Sequence, residues 1–202
     1  MAGKLLNQPG IYNPPLPEGT RINQLFNDGR TKQTIWPRRC FFAVRQPSYL
    51  HFNADDYPWK PDIDYRKHPG QYRVGKGEQG VLICEPYKSE IGAYWRFRTA
   101  AIASESSAAI FSMFIDYLAK GDFVGADMAR KYLQMGYTRA RRYANYRGGK
   151  KYDRTNDYAQ FERGTGDPEK AEAARVFYKS WKAAEVNILY ASMKKKWKHE
   201  RG

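Results

Sequence analysis

DFVGADMARKYLQMGYTRARRYANYRGGKK, the stretch from Asp122 to Lys151, combines a helical apolar pattern with a high concentration of positive charge. No acidic residue occurs between Asp127 and Asp153. The basic residues in that interval are Arg130, Lys131, Arg139, Arg141, Arg142, Arg147, Lys150 and Lys151. Charge of one sign concentrated in this way indicates an anionic partner.

Tyrosines are interleaved with these basic residues, at Tyr132, Tyr137, Tyr143, Tyr146 and Tyr152. A run that alternates cationic and aromatic side chains suits contacts with phosphates and stacking on bases. The sequence therefore predicts a nucleic-acid-binding protein, although it identifies no reaction. DNA and RNA carry the same phosphate group, so the pattern favours neither of them.

The composition of the whole chain agrees with a folded, basic protein. The 202 residues carry a net charge of +14, which favours association with anions whatever the fold. Apolar residues make up 42% of the chain and include ten Phe, sixteen Tyr and five Trp, which are sufficient to fill a core. We therefore expect one domain of ordinary size with an extension.

Cysteine, histidine and hydropathy patterns narrow the functional classes. Cys40 and Cys84 stand in apolar surroundings, with no Cys-x-x-Cys pair and no signal peptide after Met1, so we expect reduced, buried thiols and a cytoplasmic location. No apolar run reaches the roughly 18 residues of a membrane span, and we predict no membrane partner. The three histidines are far apart, so we predict no metal site and no cofactor.

Capping residues predict two helices in the middle of the chain. Thr99 begins the first helix, which runs to about Ala119 and stops at Gly121. Asp122 begins the second, a basic helix over residues 122–147. These signals predict two consecutive helices, of which the second carries the positive charge.

Two further helices and one hairpin complete the predicted domain. Residues 167–169, Asp-Pro-Glu, are typical of a helix start, and residues 187–200 can form a last helix. Short β-type runs at residues 71–74 and 81–84 flank a segment, residues 75–80, that contains three glycines. We predict an antiparallel hairpin there.

The predicted fold class is α+β and mainly helical, with a small antiparallel hairpin or sheet packed on three or four helices. Residues 1–52 are predicted to form an extended, proline-rich N-terminal arm and extension, with one strand at residues 40–44. Residues 53–202 are predicted to form a single α+β domain.

The basic helix has an apolar face on which Arg139 is the only charge. The apolar positions are Val124, Met128, Tyr132, Met135, Tyr143 and Tyr146. Arg139 therefore pairs with a carboxylate from another segment, extends outward to solvent or contacts a ligand phosphate, and the sequence leaves these alternatives open. Four basic residues fall off this face, so we expect them to be solvated and to contact phosphates: Arg130, Lys131, Arg141 and Arg142.

The helix ends in a glycine-rich basic turn. We expect Arg147, Lys150 and Lys151 of this turn to contact phosphates as well. Candidate stacking groups are Trp95, Tyr143 and Tyr146, although its place on the apolar face favours a core position for Tyr143.

Two other functional classes remain open. Asp62, Asp64, Glu85 and Lys88 are weak candidates for the catalytic site of a metal-dependent nuclease, and Mg²⁺ is expected only in that case. The spacing of Glu85 and Lys88 departs from the nuclease pattern, because alternation along a strand needs one intervening residue rather than two. The third class is a structural protein that binds a larger assembly, with a protein partner on the N-terminal arm.

Several motifs together resemble a family known only as a domain of unknown function, found in bacteria and tailed phages. These motifs are residues 75–81 (GKGEQGV), 85–91 (EPYKSEI), 95–97 (WRF), 121–125 (GDFVG), 127–131 (DMARK), 136–145 (GYTRARRYAN) and 167–171 (DPEKA). The resemblance covers roughly residues 60–190 and implies no activity and no catalytic residue. It implies a bacterial cell or a phage-infected host cell as the source of the cytoplasm expected above.

Overall fold

The computed structural model describes residues 56–201. The predicted N-terminal arm, the strand predicted at residues 40–44 and Cys40 lie outside the described residues. Within them the fold is α+β and mainly helical, as the sequence predicts, with one antiparallel pair of short strands.

Helices account for most of the described chain. They are α1 (Tyr87–Gly92), α2 (Ala100–Ala119), α3 (Phe123–Asn145), α4 (Glu169–Glu185) and α5 (Ile188–Arg201). Short 3-10 turns lie at Pro69–Gln71 and, directly after α3, at Arg147–Gly149. In residues 56–201, no helix combines the length and the apolar character that crossing a bilayer requires.

The predicted helix starts are confirmed by their hydrogen bonds. The Thr99 side chain accepts a hydrogen bond from the amide of Ile102 at 3.2 Å, at the start of α2. Asp122 accepts one from the amide of Gly125 at 2.9 Å, at the start of α3. Just before α4, an oxygen of Asp167 accepts a hydrogen bond from the α4 amide of Glu169 at 2.9 Å. Each side chain satisfies an amide that has no partner within the helix.

The core is built around α3. Helices α2, α3 and α4 all pack against one another, while α1 and α5 also pack on α3. Every residue from 123 to 133 is buried, so this half of α3 is covered on all sides. A helix that is enclosed in this way must also bury any charged residues it carries, and those charges need partners.

The hairpin predicted over residues 71–84 is wrong, because the chain there forms successive turns. Gly75 and Gly80 lie against the indole of Trp59, where an added Cβ would come within 2.5 Å and 2.8 Å of ring atoms. Gly80 also has a φ of +83°, which favours glycine. The carbonyl groups of this segment accept hydrogen bonds from α3, which takes the place of strand pairing.

The antiparallel strands lie instead after α3. They are β1 (Tyr152–Asp153) and β2 (Ala159–Gln160), with Tyr152 opposite Gln160. The turn between them includes two residues with positive φ, Asp157 and Tyr158. This small hairpin stands beside the C-terminal end of α3 and shapes the surface described next.

Candidate functional site

The first basic residues of the acid-free interval lie in a buried cluster around Asp127. We call Tyr72, Asp127, Arg130, Lys131 and Tyr190 the inner cluster. Lys131 Nζ lies 3.3 Å from one oxygen of Asp127, and Arg130 Nε lies 3.3 Å from the other. The hydroxyl groups of Tyr72 and Tyr190 also donate hydrogen bonds to this carboxylate, that of Tyr190 at 2.6 Å.

Arg130 and Lys131 also donate hydrogen bonds to the turns between residues 76 and 80, and Arg130 donates one to the side chain of Gln134 at 2.7 Å. Arg130 donates to the carbonyl of Gly77 at 3.0 Å, and Lys131 donates to the carbonyl of Gln79 at 2.8 Å. The two basic residues are 3% and 0% exposed. The prediction that they are solvated and contact phosphates is therefore wrong.

Electrostatics within the inner cluster favour the ionised carboxylate. Burial alone would raise the pKa of Asp127, but the neighbouring charges of Lys131 and Arg130 outweigh it. With the two tyrosine hydroxyls, they hold the pKa of Asp127 well below its usual range. Burial lowers the pKa of Lys131, and the charge of Asp127 offsets this effect only in part. The cluster is a paired internal network that ties α3 to α5 and to the turns.

The later basic residues of the interval lie at the surface. We call seven cationic side chains, from the last part of α3 to the residue after β1, the basic surface: Arg139, Arg141, Arg142, Arg147, Lys150, Lys151 and Arg154. Arg139 and Lys151 are half-buried and the other five are exposed. None of the seven forms an ion pair with a carboxylate within residues 56–201.

The missing ion pairs bear on the alternatives for Arg139. The carboxylate partner that one alternative requires does not occur in the described part of the chain. Arg141, in contrast, donates a hydrogen bond to the hydroxyl of Tyr137 at 2.8 Å and lies over its ring. Extension into solvent and contact with a ligand phosphate both stay open for Arg139, while Arg141 is held in part by Tyr137.

Two grooves adjoin at the basic surface. The first, of about 560 Å³, has a wall of cationic side chains from Arg142, Lys150, Lys151 and Arg154. The second, of about 500 Å³, is lined by Arg147, Gly148, Lys150, Phe161, Glu162 and Thr165. Lys150 and Phe161 line both grooves, so these two side chains form the ridge between them.

The turn after α3 precedes two lysines that line the grooves: Lys150 lines both, and Lys151 lines the first. Gly149 has a φ of +69°, which favours glycine, and an added Cβ would lie 2.8 Å from the ring of Tyr143. The turn is closed by a hydrogen bond from the amide of Gly149 to the carbonyl of Tyr146 at 2.9 Å. Lys150 follows this turn directly and forms part of the ridge between the grooves.

Two acidic residues belong to the groove walls. Asp153 lines the first groove, but it accepts hydrogen bonds from the amide and hydroxyl of Thr155 at 2.9 Å and 2.7 Å. Glu162 lines the second groove, and its carboxylate forms no hydrogen bond or ion pair within residues 56–201. The first groove is therefore the more favourable of the two for an anion.

The predicted stacking residues differ in their accessibility. Tyr146 is 7% exposed and its hydroxyl accepts a hydrogen bond from Gln160, so its assignment to the binding surface is wrong. Tyr143 is 38% exposed, against the core position favoured for it, because it lies where α3 leaves the core. Trp95 is half-buried in an aromatic cluster with Phe97 and Tyr132.

Sequence reasoning missed two residues of this surface, Arg154 and Phe161. Arg154 follows Asp153, the acid that closes the acid-free interval, and so falls outside the pattern. Phe161 is distant in sequence from the basic helix, and β1–β2 pairing brings it to the grooves. A predicted hairpin over residues 152–160 would have placed Arg154 and Phe161 near the basic helix. That segment has no alternating apolar pattern, so the sequence does not predict a hairpin there.

The nuclease candidates are only partly brought together. An isolated parallel bridge joins the backbones of Asp64 and Glu85. The Asp64 carboxylate accepts hydrogen bonds from the amides of Arg66 and Lys67, and Glu85 pairs with Lys88 at 2.7 Å. In residues 56–201, no group of three or more His, Cys, Asp or Glu side chains could hold a metal ion. The nuclease interpretation stays a prediction.

Another concavity, of about 580 Å³, lies between α1 and α2 and contains charges of both signs. Arg66 forms a bidentate pair with Glu90 at 2.7 Å and 2.6 Å. Tyr117 donates a further hydrogen bond to Glu90 at 2.9 Å. Arg66 and Glu90, the principal charges of this concavity, are thus paired with each other. The cations of the basic surface have no carboxylate partner within residues 56–201.

Comparison with known proteins identifies a family without an activity. A family model described as Domain of unknown function (DUF4385) matches residues 56–200. This match confirms the family resemblance, while a source in bacteria or tailed phages stays a prediction. No curated protein matches the chain, and no solved structure matches it.

Proposed function

Because the chain belongs to the family described as Domain of unknown function (DUF4385), whose description names no activity, we propose a function from its surface: it binds nucleic acid through the basic surface. The observation that carries this proposal is the convergence of Arg142, Lys150, Lys151 and Arg154 on one groove. None of these cations forms an ion pair with a carboxylate within residues 56–201.

Elsewhere in the described chain some surface cations are paired, such as Lys88 with Glu85, Arg175 with Glu172 and Lys182 with Glu185. Others, such as Lys179 and Lys195, are unpaired within residues 56–201 but line neither groove. The basic surface differs in that several cations without an ion pair in this part of the chain lie around one groove. Phosphate groups release condensed counterions when cations neutralise them, which favours binding to a surface of this kind.

The geometry also suits phosphates rather than isolated carboxylates. Arg142, Lys150 and Arg154 line one concave groove, so several donors converge on one space. Guanidinium groups present paired donors that match phosphate oxygens. The C-terminal end of α3 carries partial negative charge, which helps to hold these cations together in the absence of a ligand.

The test is fluorescence-anisotropy binding of the full chain to labelled DNA and RNA at two salt concentrations. The variant is Arg142→Ala combined with Lys150→Ala, which removes two exposed cations from the first groove. The matched control is Lys179→Ala combined with Lys195→Ala, which removes the same charge from exposed positions on α4 and α5. We expect the groove variant to weaken binding at least tenfold and the control to weaken it far less.

Salt dependence gives a second readout of the same proposal. The slope of log affinity against log salt should become shallower by about 1 to 2 in the groove variant, because each lost phosphate contact removes roughly 0.7 to 0.9 from it. Equal affinities and equal slopes in wild type, groove variant and control would show that the basic surface does not bind nucleic acid. Absence of any binding at low salt would favour the alternative function, in which the chain binds a protein partner.

Adding Mg²⁺ to the same complexes tests the enzyme alternative. Cleavage of the bound nucleic acid that Glu85→Gln abolishes, with binding retained, would establish a nuclease. Intact nucleic acid leaves the protein a binding module. The cytoplasm, where bacterial DNA and RNA lie, is the location that we propose with this function, and microscopy of a fluorescent fusion would test it.

A further inference from the structure

Phe161 has an exposed aromatic ring in the middle of the basic surface. It follows β2 directly and is 41% exposed. Its side chain lines both grooves, as Lys150 does. Cations flank it on both sides, with Arg142 in the first groove and Arg147 in the second. A large apolar side chain exposed between cations indicates a ligand that is both apolar and anionic.

The backbone around Phe161 is fixed by hydrogen bonds. Its amide donates to the carbonyl of Lys151 at 3.0 Å, which extends the pairing of β1 and β2 by one position. The preceding residue, Gln160, donates a side-chain hydrogen bond to the hydroxyl of Tyr146 at 2.8 Å, and Tyr146 is buried. The ring is therefore carried by an ordered segment anchored to the end of α3, so little conformational entropy is lost when a ligand packs against it.

We propose that Phe161 is a stacking platform for a base of single-stranded nucleic acid, whose phosphates are held by the cations of the two grooves. The inference rests on the proposed function and specifies its ligand. Every base has an apolar face that can stack on an aromatic ring, and the adjoining phosphate carries the negative charge. Phe161 and Lys150 place these two kinds of contact side by side.

A double helix would not use this ridge. Its bases are stacked on one another inside the duplex, so an aromatic side chain at the protein surface meets only the backbone. The grooves, of about 560 Å³ and 500 Å³, have the dimensions of small-molecule sites. They can receive an unstacked nucleotide on each side of Phe161, while a duplex would contact only their cationic rims.

The experiment compares binding of a labelled single strand and of the corresponding duplex to the full chain. Phe161→Ala should weaken binding of the single strand by roughly five- to a hundredfold, the range measured for stacking contacts. Its salt slope should stay unchanged, because Phe161 carries no charge. Binding of the duplex should change by less than about twofold, since no base stacks on the ring. Phe161→Trp should restore the single-strand affinity.

Three results would overturn the inference. If Phe161→Ala binds the single strand as wild type does, while Arg142→Ala with Lys150→Ala is weakened, the proposed function stands and the stacking role is wrong. Equal weakening for single strand and duplex would show a structural effect of Phe161. No weakening in either variant would remove the proposed function as well. Thermal unfolding of each variant confirms that the folded protein is compared.

Discussion

Arg130 and Lys131 carry the same charges as Arg142 and Lys150 and lie in the same acid-free interval, yet only the second pair reaches solvent. The first pair lies where α3 is covered on all sides, and it neutralises the buried Asp127. The second pair lies where the helix and its following turn leave the core. The surroundings of a basic residue, rather than its type, therefore decide whether it stabilises the fold or is available to a ligand.

The inner cluster and the basic surface differ in what surrounds each cation. In the inner cluster the three donors of Lys131 have three partners: the carboxylate of Asp127, the hydroxyl of Tyr72 and the carbonyl of Gln79. On the basic surface Lys150 has no carboxylate partner within the described residues. Removing a charge from the first place should therefore affect folding, and removing one from the second should affect binding.

The largest expected effect is on the carboxylate of the inner cluster. Asp127→Asn keeps the shape of the side chain but leaves Lys131 buried without its counter-charge and Arg130 with only Glu185, at 3.8 Å. We expect the free energy of unfolding to fall by about 3–5 kcal/mol, as for other broken buried ion pairs. Asp116→Asn, at an exposed position on α2, is the control and should change it by less than about 0.5 kcal/mol. Urea unfolding measures the free energy of unfolding of both variants. An equal loss in both would contradict a special role of the inner cluster in stability.

A smaller effect is expected from the hydroxyl of Tyr190. Tyr190→Phe removes the 2.6 Å hydrogen bond to Asp127 and should cost about 1–3 kcal/mol, because the acceptor is a buried charge. Tyr143→Phe is the matched change at the other end of α3, where the ring is partly exposed. It should leave stability within about 0.5 kcal/mol of wild type. A loss as large in Tyr143→Phe would contradict the division between the two regions.

The lowered pKa of Asp127 predicts a specific acid response. The unfolded chain protonates this carboxyl near pH 3.9, while the folded state keeps it ionised at lower pH. The unfolded state therefore binds more protons below about pH 4, so stability falls as the pH drops, by up to roughly 1.4 kcal/mol per pH unit from this group. Urea unfolding between pH 5 and pH 2.5 should give a steeper fall in wild type than in Asp127→Asn. Parallel curves would show that Asp127 is not ionised in the fold.

The smallest effect concerns the acid on the basic surface. Glu162→Gln removes an unpaired carboxylate from the second groove, so nucleic-acid binding should tighten by roughly two- to fivefold. Glu105→Gln makes the same charge change at an exposed position on α2. Anisotropy titrations of both variants check whether proximity to the groove matters. Equal tightening would mean that only the net charge of the chain matters.

The helices of this fold could be predicted because their signals are local. Thr99, Asp122 and Asp167 each form a hydrogen bond at a helix start within a few residues along the chain. The hairpin predicted at residues 71–84 failed because its glycines serve close packing on Trp59 rather than a tight strand connection. That packing partner is not visible in the local sequence.

The candidate site could be predicted in part, because the charge pattern that marks it is also a local signal. The acid-free interval marks the cations at the end of α3 and in the following turn, since charge is visible in composition, and their role in binding stays a prediction. It cannot separate Arg130 from Arg142, because both fall off the apolar face of one helix. Their separation is set by the turns around Gly77 and by Tyr190 on α5, which are distant in sequence.

One pair of substitutions tests the central claim directly: Lys131→Met and Lys150→Met, the same chemical change in the two regions. The free energy of unfolding and the affinity for a single-stranded oligonucleotide are measured on the same preparations, with the affinity corrected to the folded fraction. We predict that Lys131→Met loses about 3–5 kcal/mol of stability and keeps its affinity, whereas Lys150→Met keeps its stability and binds more weakly. A stable Lys131→Met protein with weakened binding would contradict the account.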